Sequence, residues 1–295
     1  MQPYLVKKKT TLLEYLLETL QGIKKSKAKN YLKFRSVFVN GKSVTQFDYP
    51  LSPGDEVMLR TDKAEAQTAY LKSRLDIIYE DTAILVINKP AGLLTIATET
   101  IQTQTAYYQV HEYLNHSEPA KKKPVFIVHR LDRDASGLLI FAKSPEAKHY
   151  LQSEWPNFEK HYYAVVHGTP AKSADTIESY LAENKFLNVY SIQKQITNSK
   201  HAVTHYKVLK SNGIFSLLEV TIETGRKHQI RVHMSDMNHP IIGDERYAYK
   251  TEAQNPSPAG RMGLHACYLA INHPATGKRV IFRSDLPHIL SKIFS

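Results

Sequence analysis

Residues 124–137 read PVFIVHRLDRDASG, an apolar run followed by alternating charges and a glycine. A short apolar run closed by glycine predicts a buried strand that ends in a sharp turn. Asp132 would then stand at the end of a rigid element, where catalytic side chains are often found. The alternative is that Asp132 and Asp134 only cap a turn through their own backbone. The surrounding sequence decides between the two interpretations.

Length and charge narrow the class of protein. A chain of 295 residues exceeds one typical domain, so we expect one large and one small domain. Lys and Arg number 39 against 28 Asp and Glu, a net charge of +11. That excess suits a polyanionic partner, with nucleic acid favoured over an anionic membrane surface.

Apolar stretches and cysteine content indicate the compartment. No stretch approaches the roughly 20 apolar residues of a membrane-spanning helix, and no long apolar segment follows the early positive charges. Cys267 stands alone, so no intrachain disulfide can form. We therefore expect a cytoplasmic protein without membrane association.

The first 60 residues are strongly basic, with eleven Lys or Arg residues against five acidic ones. Leucines at helical spacing between 13 and 20 and a Lys-rich segment at 26–34 predict two helices. Asn40-Gly41 after Val37-Phe38-Val39 predicts a hairpin, and Pro53-Gly54-Asp55 predicts a turn into a strand at 56–59.

This order of elements resembles the alpha-L RNA-binding motif of ribosomal proteins and RNA-modifying enzymes. The second helix carries Lys where that motif usually has more Arg, and lysine contacts phosphate as a point charge. The resemblance implies an RNA-binding domain at 1–61, followed by a polar linker at 62–73 and a catalytic domain at 74–295. The alternative is a structural domain with a solvated charged face.

The remaining sequence alternates short apolar runs with turn residues. It predicts a mixed α+β domain built on a mixed or largely antiparallel sheet. The predicted strands are 75–81, 83–90, 138–142, 162–166, 203–208 and 215–222, with a terminal hairpin around 273–277. The predicted helices are 105–115, 146–154 and 227–237, and a polar loop is predicted at 118–123.

Five motifs in order resemble the RluA-type pseudouridine synthases. They are His129-Arg-Leu-Asp132 with Ser136-Gly137, Lys160 to Gly168, Thr224-Gly-Arg-x-His-Gln-Ile-Arg-x-His233, Gly243-Asp-x-x-Tyr247 and Leu264-His-Ala266. The similarity covers roughly residues 74–283, and five motifs in register are far more specific than one. The chain departs from the family pattern at Ala135, where Thr is common, and at 94–97, where Val-His-Pro is frequent.

The resemblance implies roles for individual residues. Asp132 corresponds to the essential carboxylate, Arg231 to its ion-pair partner, Tyr162 to the residue against the target base and Leu264 to an apolar contact on another side of it. Four further motif residues correspond to substrate contacts or supports of the loops: Arg130, Arg226, His228 and Gln229.

Uridine isomerisation breaks the bond from uracil to ribose and rejoins the sugar to ring carbon 5, without net oxidation. It therefore requires neither a metal nor a coenzyme. A carboxylate can attack the base or the sugar, or it can abstract a sugar proton, and the sequence leaves these routes open. Arginine would keep the carboxylate ionised, and tyrosine offers a flat surface and a hydroxyl.

Three rival functions remain open. A zinc site is disfavoured because His111 with His116, and His228 with His233, are five residues apart and off a common helical face. A glycosidase would need a second carboxylate, for which Asp134 is the candidate. A non-catalytic RNA-binding or ribosome-assembly factor would show the same basic charge but would not need Asp132, Arg231 and Tyr162 together.

The expected partner is RNA, with large-subunit ribosomal RNA first and transfer RNA second. Bulk charge reports polyanion binding and not sequence, so the target rests on the alpha-L resemblance. We expect a monomer that requires no protein partner.

Overall fold

A computed structural model describes residues 4–20, 23–33, 36–59, 75–115, 123–248 and 257–295. The chain divides into two units, the first formed by Met1–Asp76 with Gln109–Lys123 and the second by Ile77–Tyr108 with Pro124–Ser295. The predicted linker at 62–73 and most of the predicted loop at 118–123 lie outside the described residues. Within the described ranges, no helix is long and apolar enough to cross a membrane.

The first unit packs two helices on small sheets. The helices are α1 (Leu12–Thr19) and α2 (Lys25–Lys33), and the strands are β1 (Tyr4–Leu5), β2 (Thr10–Thr11), β3 (Val37–Val39), β4 (Lys42–Ser43), β5 (Pro50–Leu51) and β6 (Glu56–Leu59). The strand order is β1-β6-β3-β4, with β2 paired to β5. Asn40 and Gly41 have φ of 49° and 78°, as the predicted β3–β4 hairpin turn requires.

The apolar face of α2 explains why its lysines are exposed. Ala28 and Leu32 are buried against Leu12 and Leu16 of α1, whereas Lys25, Lys27 and Lys29 face solvent. The helix therefore presents a basic surface outward. A third helix, α3 (Ala106–Asn115), begins in the second unit and ends in the first.

The second unit is built on one eleven-stranded sheet. Its strands are β7 (Ile77–Glu80), β8 (Ile84–Lys89), β9 (Phe126–Ile127), β10 (Ser136–Ala142), β11 (Glu159–His167), β12 (Ala174–Glu183), β13 (Val189–Ile192), β14 (Lys200–Ser211), β15 (Phe215–Ile222), β16 (Leu264–Asn272) and β17 (Arg279–Arg283). Its remaining helices are α4 (Pro145–Ser153), α5 (Gln229–Asp236) and α6 (His288–Ser291), with 3₁₀ turns at Trp155–Asn157 and Lys292–Phe294.

The sheet order confirms the predicted mixed, largely antiparallel α+β fold. It runs β13-β12-β14-β15-β11-β16-β10-β8-β7, with β17 beside β16 and β9 beside β10. Among the described pairs only β10 and β16 run parallel. Helix α4 packs on the cluster around β8 and β10, and α5 packs on the cluster around β11 and β15. Tyr162, Ala164 and Val166 share the face of β11 that meets α5, as their alternation predicts.

Only part of the strand predicted directly before Asp132 forms, and it is less buried than expected. The strand there, β9, has two half-buried residues, and the fully buried strand is β10, which follows the Asp132 loop. The backbone of this loop bonds to the segment after β8 instead of joining a ladder. Leu131 exchanges bonds of 2.8 and 3.2 Å with the Thr95 hydroxyl, and the Arg133 carbonyl accepts from the Gly92 N–H at 2.9 Å.

Candidate active site

The side chain of Lys89 anchors the Asp132 loop. This side chain is fully buried at the end of β8, and its ammonium donates to the carbonyls of Pro90, Leu93 and Arg133 at 3.0, 2.7 and 3.1 Å. Burial lowers the pKa of Lys89 to about 7, against the opposing charges of Asp134 and Asp132. Three carbonyl acceptors match the three N–H donors of an ammonium, so Lys89 ties the Asp132 loop to the segment after β8.

Arg231 joins Asp132 to a second carboxylate. Its Nη1 donates to Asp132 Oδ2 at 2.9 Å, while Nε and Nη2 donate to the two oxygens of Asp244 at 2.7 and 2.8 Å. Burial alone would lower the pKa of Arg231, but the hydrogen bonds and charge of Asp244, and then of Asp132, raise it above its ordinary value. The guanidinium therefore stays charged and its orientation is fixed.

His228 lies beside Asp132 at the start of α5. It caps that helix with φ of 55°, which shortens the predicted helix to a first residue at Gln229. Its Nε2 lies 3.8 Å from Asp132 Oδ1, and its Nδ1 is 2.7 Å from the Tyr247 hydroxyl. Burial lowers the pKa of His228 while the charge of Asp132 opposes the change, so the neutral imidazole is favoured.

Tyr162 and Leu264 line a cavity of about 660 Å³ together with Asp132 and Arg231. Strand β11 supplies Tyr162, and Leu264 begins the adjacent strand β16. Burial, and then the charge of Asp132, raises the pKa of Tyr162, so its hydroxyl is protonated at neutral pH. The predicted catalytic groups and the predicted apolar contact thus meet in one cavity.

Trp155 closes another part of the same cavity. Its ring stacks on the His129 imidazole with centroids 4.2 Å apart and an interplanar angle of 24°. His129 Nε2 accepts the Ile140 N–H at 3.2 Å, and burial lowers the pKa of His129 to about 3. His129 is therefore a neutral spacer that fixes Trp155 relative to β10.

A second, larger cavity of about 1250 Å³ is also lined by the Asp132 loop. Asp132, Arg130, His228 and Arg231 line both cavities. The segment 94–97, which departs from the family pattern, lines the larger one. Asp132 therefore stands at the junction of two connected depressions.

The remaining sequence-predicted residues divide into two groups. Arg130 and Arg226 are exposed and line the cavities, and Arg226 Nε also donates to the His201 carbonyl at 2.9 Å. Gln229 is buried, and its amide bonds to Thr224, to the Arg226 N–H, to Thr204 and to the Val203 carbonyl. Those contacts favour loop support over substrate contact for Gln229.

Several residues that build the site carried no predicted role: Lys89, Asp244, Tyr247, Trp155, Ser136 and His265. Asp244 and Tyr247 lie in one of the recognised motifs, but the sequence does not show that they contact Arg231 and His228. Ser136 and His265 lie in motifs as well. They bond at 2.8 Å and join the parallel strands β10 and β16, and Arg261 donates to the same hydroxyl at 2.6 Å.

The histidines do not form the rival metal site in the described part of the chain. No group of three or more His, Cys, Asp or Glu residues is arranged there to hold a metal ion. His233 is buried between the hydroxyls of Ser179 and Thr204, at 2.9 and 2.8 Å. His116 lies outside the described residues.

Comparison with known proteins agrees with this geometry. The RNA pseudouridylate synthase family matches residues 83–236. The chain is 33% identical over 291 residues to the uncharacterized RNA pseudouridine synthase YlyB of Bacillus subtilis, covering 95% of this chain and 91% of that one. It is also 33% identical over 279 residues to ribosomal large subunit pseudouridine synthase D of Pseudomonas aeruginosa, covering 89% and 84%.

A solved structure gives the same result. Human RNA pseudouridylate synthase domain containing 4 is similar with a TM-score of 0.62 and 25% identity, over 76% of this chain and 94% of that one. The motifs, the fold and the relatives therefore lead to one conclusion: this chain belongs to the RNA pseudouridylate synthase family and is an RNA pseudouridine synthase.

Proposed function

We propose that this enzyme isomerises specific uridines of large-subunit ribosomal RNA, with Asp132 as the essential carboxylate. The observation that carries the proposal is the 2.9 Å bond from Arg231 to Asp132 beside a cavity that Tyr162 and Leu264 also line. One oxygen of Asp132 is bound to Arg231. The other lies 3.8 Å from His228, beyond hydrogen-bond distance, and is the oxygen available to the substrate.

The charges around Asp132 suit a carboxylate that acts in its ionised form. Arg231 stays cationic, and the neutral His228 adds a polar neighbour without a second full charge. Such an ionised oxygen can attack the base or the sugar, or abstract a sugar proton. Each route uses the carboxylate held by Arg231.

Tyr162 and Leu264 form the apolar part of the proposed site. A detached uracil needs a surface that holds it while it turns, and an aromatic ring beside a leucine on neighbouring strands offers one. Because the Tyr162 hydroxyl is protonated at neutral pH, its ring is the feature of this residue that the geometry favours. The cavity of about 660 Å³ is within the usual size range of small-molecule sites.

A uridine reaches this cavity only after it leaves the base stack. Extrusion of a nucleotide costs about a few kcal/mol, and less in single-stranded loops. We expect Arg130 and Arg226, which are exposed and line the cavities, to contact phosphates next to the extruded nucleotide.

We propose that the first unit, with its alpha-L-like order of elements, holds RNA through the exposed lysines of α2. A relative that is 33% identical carries the name ribosomal large subunit pseudouridine synthase D, which supports ribosomal RNA as the first target and leaves transfer RNA second. The reaction consumes no water and no electrons, so these residues suffice without metal or coenzyme.

The test of the chemistry is release of tritium from carbon 5 of uridine in bulk ribosomal RNA. The wild type should release tritium to water, whereas Asp132→Asn should bind RNA and release none. Asp134→Asn is the matched control, because Asp134 is paired with Arg133 at 3.0 Å, whereas Asp132 is held by Arg231 at 2.9 Å. Equal release by wild type and Asp132→Asn contradicts the proposal, and loss of release in Asp134→Asn with free uracil produced indicates a glycosidase.

The target is tested separately by mapping pseudouridines in cells with and without the gene. We expect sites in large-subunit ribosomal RNA to disappear. If the missing sites lie in transfer RNA, the ribosomal assignment is wrong while the chemistry stands.

A further inference from the structure

The hairpin that joins β12 to β13 ends in two large apolar side chains. Phe186 is 71% exposed and Leu187 is 62% exposed. The tip is nevertheless ordered by hydrogen bonds, because the Asn184 side chain accepts the N–H groups of Phe186 and Asn188 at 2.9 and 3.1 Å. The apolar pair is thus held on a defined turn.

The conformation of Leu187 adds a second unusual feature. Its φ is +61°, in the left-handed region where turns usually place glycine or asparagine. A leucine there is strained, and its exposed side chain gains little from burial in return. Neither feature serves the core of the unit.

The tip is tied to residues at the rim of the active site. The Leu187 carbonyl accepts from Arg246 Nη1 at 3.1 Å and from Lys227 Nζ at 3.4 Å. Arg246 lines the larger cavity and Lys227 the smaller one, and both cavities contain Asp132. Lys227 also pairs with Glu183 at the end of β12.

The first residue of β13 is attached in the same way. The Val189 N–H donates to the Tyr247 hydroxyl at 3.2 Å, and that hydroxyl contacts His228. The hairpin is therefore connected to both cavity rims and to the residue beside Asp132. Phe186 and Leu187 line neither cavity, so the tip would extend the site outward.

We propose that this tip is an RNA contact in which an unpaired base close to the target uridine stacks on Phe186 and packs against Leu187. The inference rests on the proposed function and adds a recognition element to it. Single-stranded RNA is bound by aromatic faces combined with cations. Lys185 lies with its ammonium 5.1 Å from the Phe186 ring centroid, and Lys227 and Arg246 supply further positive charge.

Charge favours RNA over a second copy of this chain as the occupant. Lys227 is paired with Glu183, but Lys185 and Arg246 at the tip would meet the same cations in a copy of this chain. Self-association therefore remains an outcome of the test and not the proposal.

The experiment measures binding of a fluorescein-labelled single-stranded oligouridylate to full-length protein carrying Asp132→Asn, so that no turnover occurs. Phe186→Ala should weaken this binding by about 5- to 150-fold, the range for loss of one stacked base. Phe186→Tyr should restore it. Leu187→Gly should also weaken binding while the fold is kept, because glycine adopts positive φ without strain.

Ile214→Ser is the matched control. Ile214 is 66% exposed in the turn between β14 and β15, at the opposite end of these strands from the β12–β13 tip. Its replacement should leave the affinity unchanged. The slope of log affinity against log salt should also stay unchanged in Phe186→Ala, because stacking releases no counterions.

Unchanged affinity in both Phe186→Ala and Leu187→Gly overturns the inference, as does an equal loss in Ile214→Ser. A tip-dependent change of mass in sedimentation would assign the tip to self-association and also overturn it. The proposed function is scored apart from this, by tritium release in the wild type. If release occurs and the tip variants bind normally, only the inference fails.

Discussion

Arg231 binds two carboxylates that differ in solvent exposure, and this difference indicates that the two carboxylates have different roles. Asp244 is fully buried and grips the guanidinium with both oxygens, whereas the Asp132 side chain is 29% exposed and uses one. The bidentate pair fixes the plane of the guanidinium, and that plane fixes where Asp132 is held. Asp244 therefore acts on the reaction through Arg231.

We predict that Asp244→Asn lowers kcat about 10- to 100-fold, the usual effect of a small displacement of reacting groups. The affinity for RNA should change little, because Asp244 is buried and both of its oxygens are bound to Arg231. Single-turnover tritium release against RNA concentration separates the two effects.

The control for Asp244→Asn is Asp236→Asn. Asp236 is the last residue of α5, at the opposite end of this helix from His228, and its carboxylate accepts a hydrogen bond from the Ser191 hydroxyl. That variant should keep normal kcat. An Asp244→Asn enzyme with unchanged kcat would show that the bidentate pair is dispensable.

The sequence predicted the residues that meet in the cavity, because each of them lies in a motif. It did not identify Lys89, whose partners are backbone carbonyls at 90, 93 and 133. Carbonyl partners have no sequence signature. Nor could the motif of Asp244 and Tyr247 reveal its contacts, which depend on tertiary approach to α5.

Between elements, the close approach of β10 and β16 places the Asp132 loop beside Leu264. Ser136 pairs with His265 and Gly137 with Ala266 in this parallel contact. A Cβ on Gly137 would lie 2.2 Å from the Ala266 carbonyl oxygen, and the φ of Gly137 is +111°. The Ser-Gly and Leu-His-Ala motifs are thus two halves of one strand contact.

Gly137→Ala should destabilise the protein by more than about 3 kcal/mol, since overpacking and the unfavourable φ both contribute. Gly213→Ala is the comparison: its φ is +87°, but nothing lies within 4 Å of the added Cβ. That change should cost only about 1 kcal/mol. Urea denaturation of both variants checks the difference, and equal midpoints would contradict it.

The sequence predicted strands that are rich in buried apolar residues, such as β8, β11 and β15, and missed β12 and β13. Strand β12 reads ADTIESYLAE, and its first half is exposed on both faces. Backbone hydrogen bonds to β14 hold this strand in the sheet, and its first half has no apolar pattern that would predict a strand. The apolar run before Asp132 is the opposite case, because only Phe126–Ile127 of it form a strand, which pairs with β10.

Helix α2 of the first unit carries lysines and no acidic residue. Replacing Lys25, Lys27 and Lys29 by Gln should weaken RNA binding and reduce the salt slope by about 2, since each phosphate contact contributes about 0.7 to 0.9. The rate at saturating RNA should stay unchanged. Filter binding at several salt concentrations measures the slope.

A matched triple replacement in the second unit, Lys172, Lys207 and Lys210 by Gln, removes equal charge from exposed positions. If both triple variants change the slope equally, binding follows net charge and not the α2 surface.

Acid should destabilise the fold through its buried histidines. Burial lowers the pKa of His233 and of His265 to about 4, below the unfolded value near 6.5. As pH falls from 6.5 to 4 the unfolded chain takes up protons that the folded chain does not, so stability is lost in that window. Each histidine accounts for about 3 kcal/mol.

Urea denaturation between pH 7 and 4 tests this dependence. His265→Asn should flatten the pH profile, whereas His288→Asn, at an exposed position, should not. A profile unchanged by His265→Asn would remove that residue from the acid transition.

Trp155 is the one tryptophan of the chain, and it lines the cavity that contains Asp132. All indole emission of the protein therefore originates at the place where the substrate is expected to bind. The entry of RNA into the cavity can therefore be followed in stopped-flow experiments by intrinsic tryptophan fluorescence, without a label.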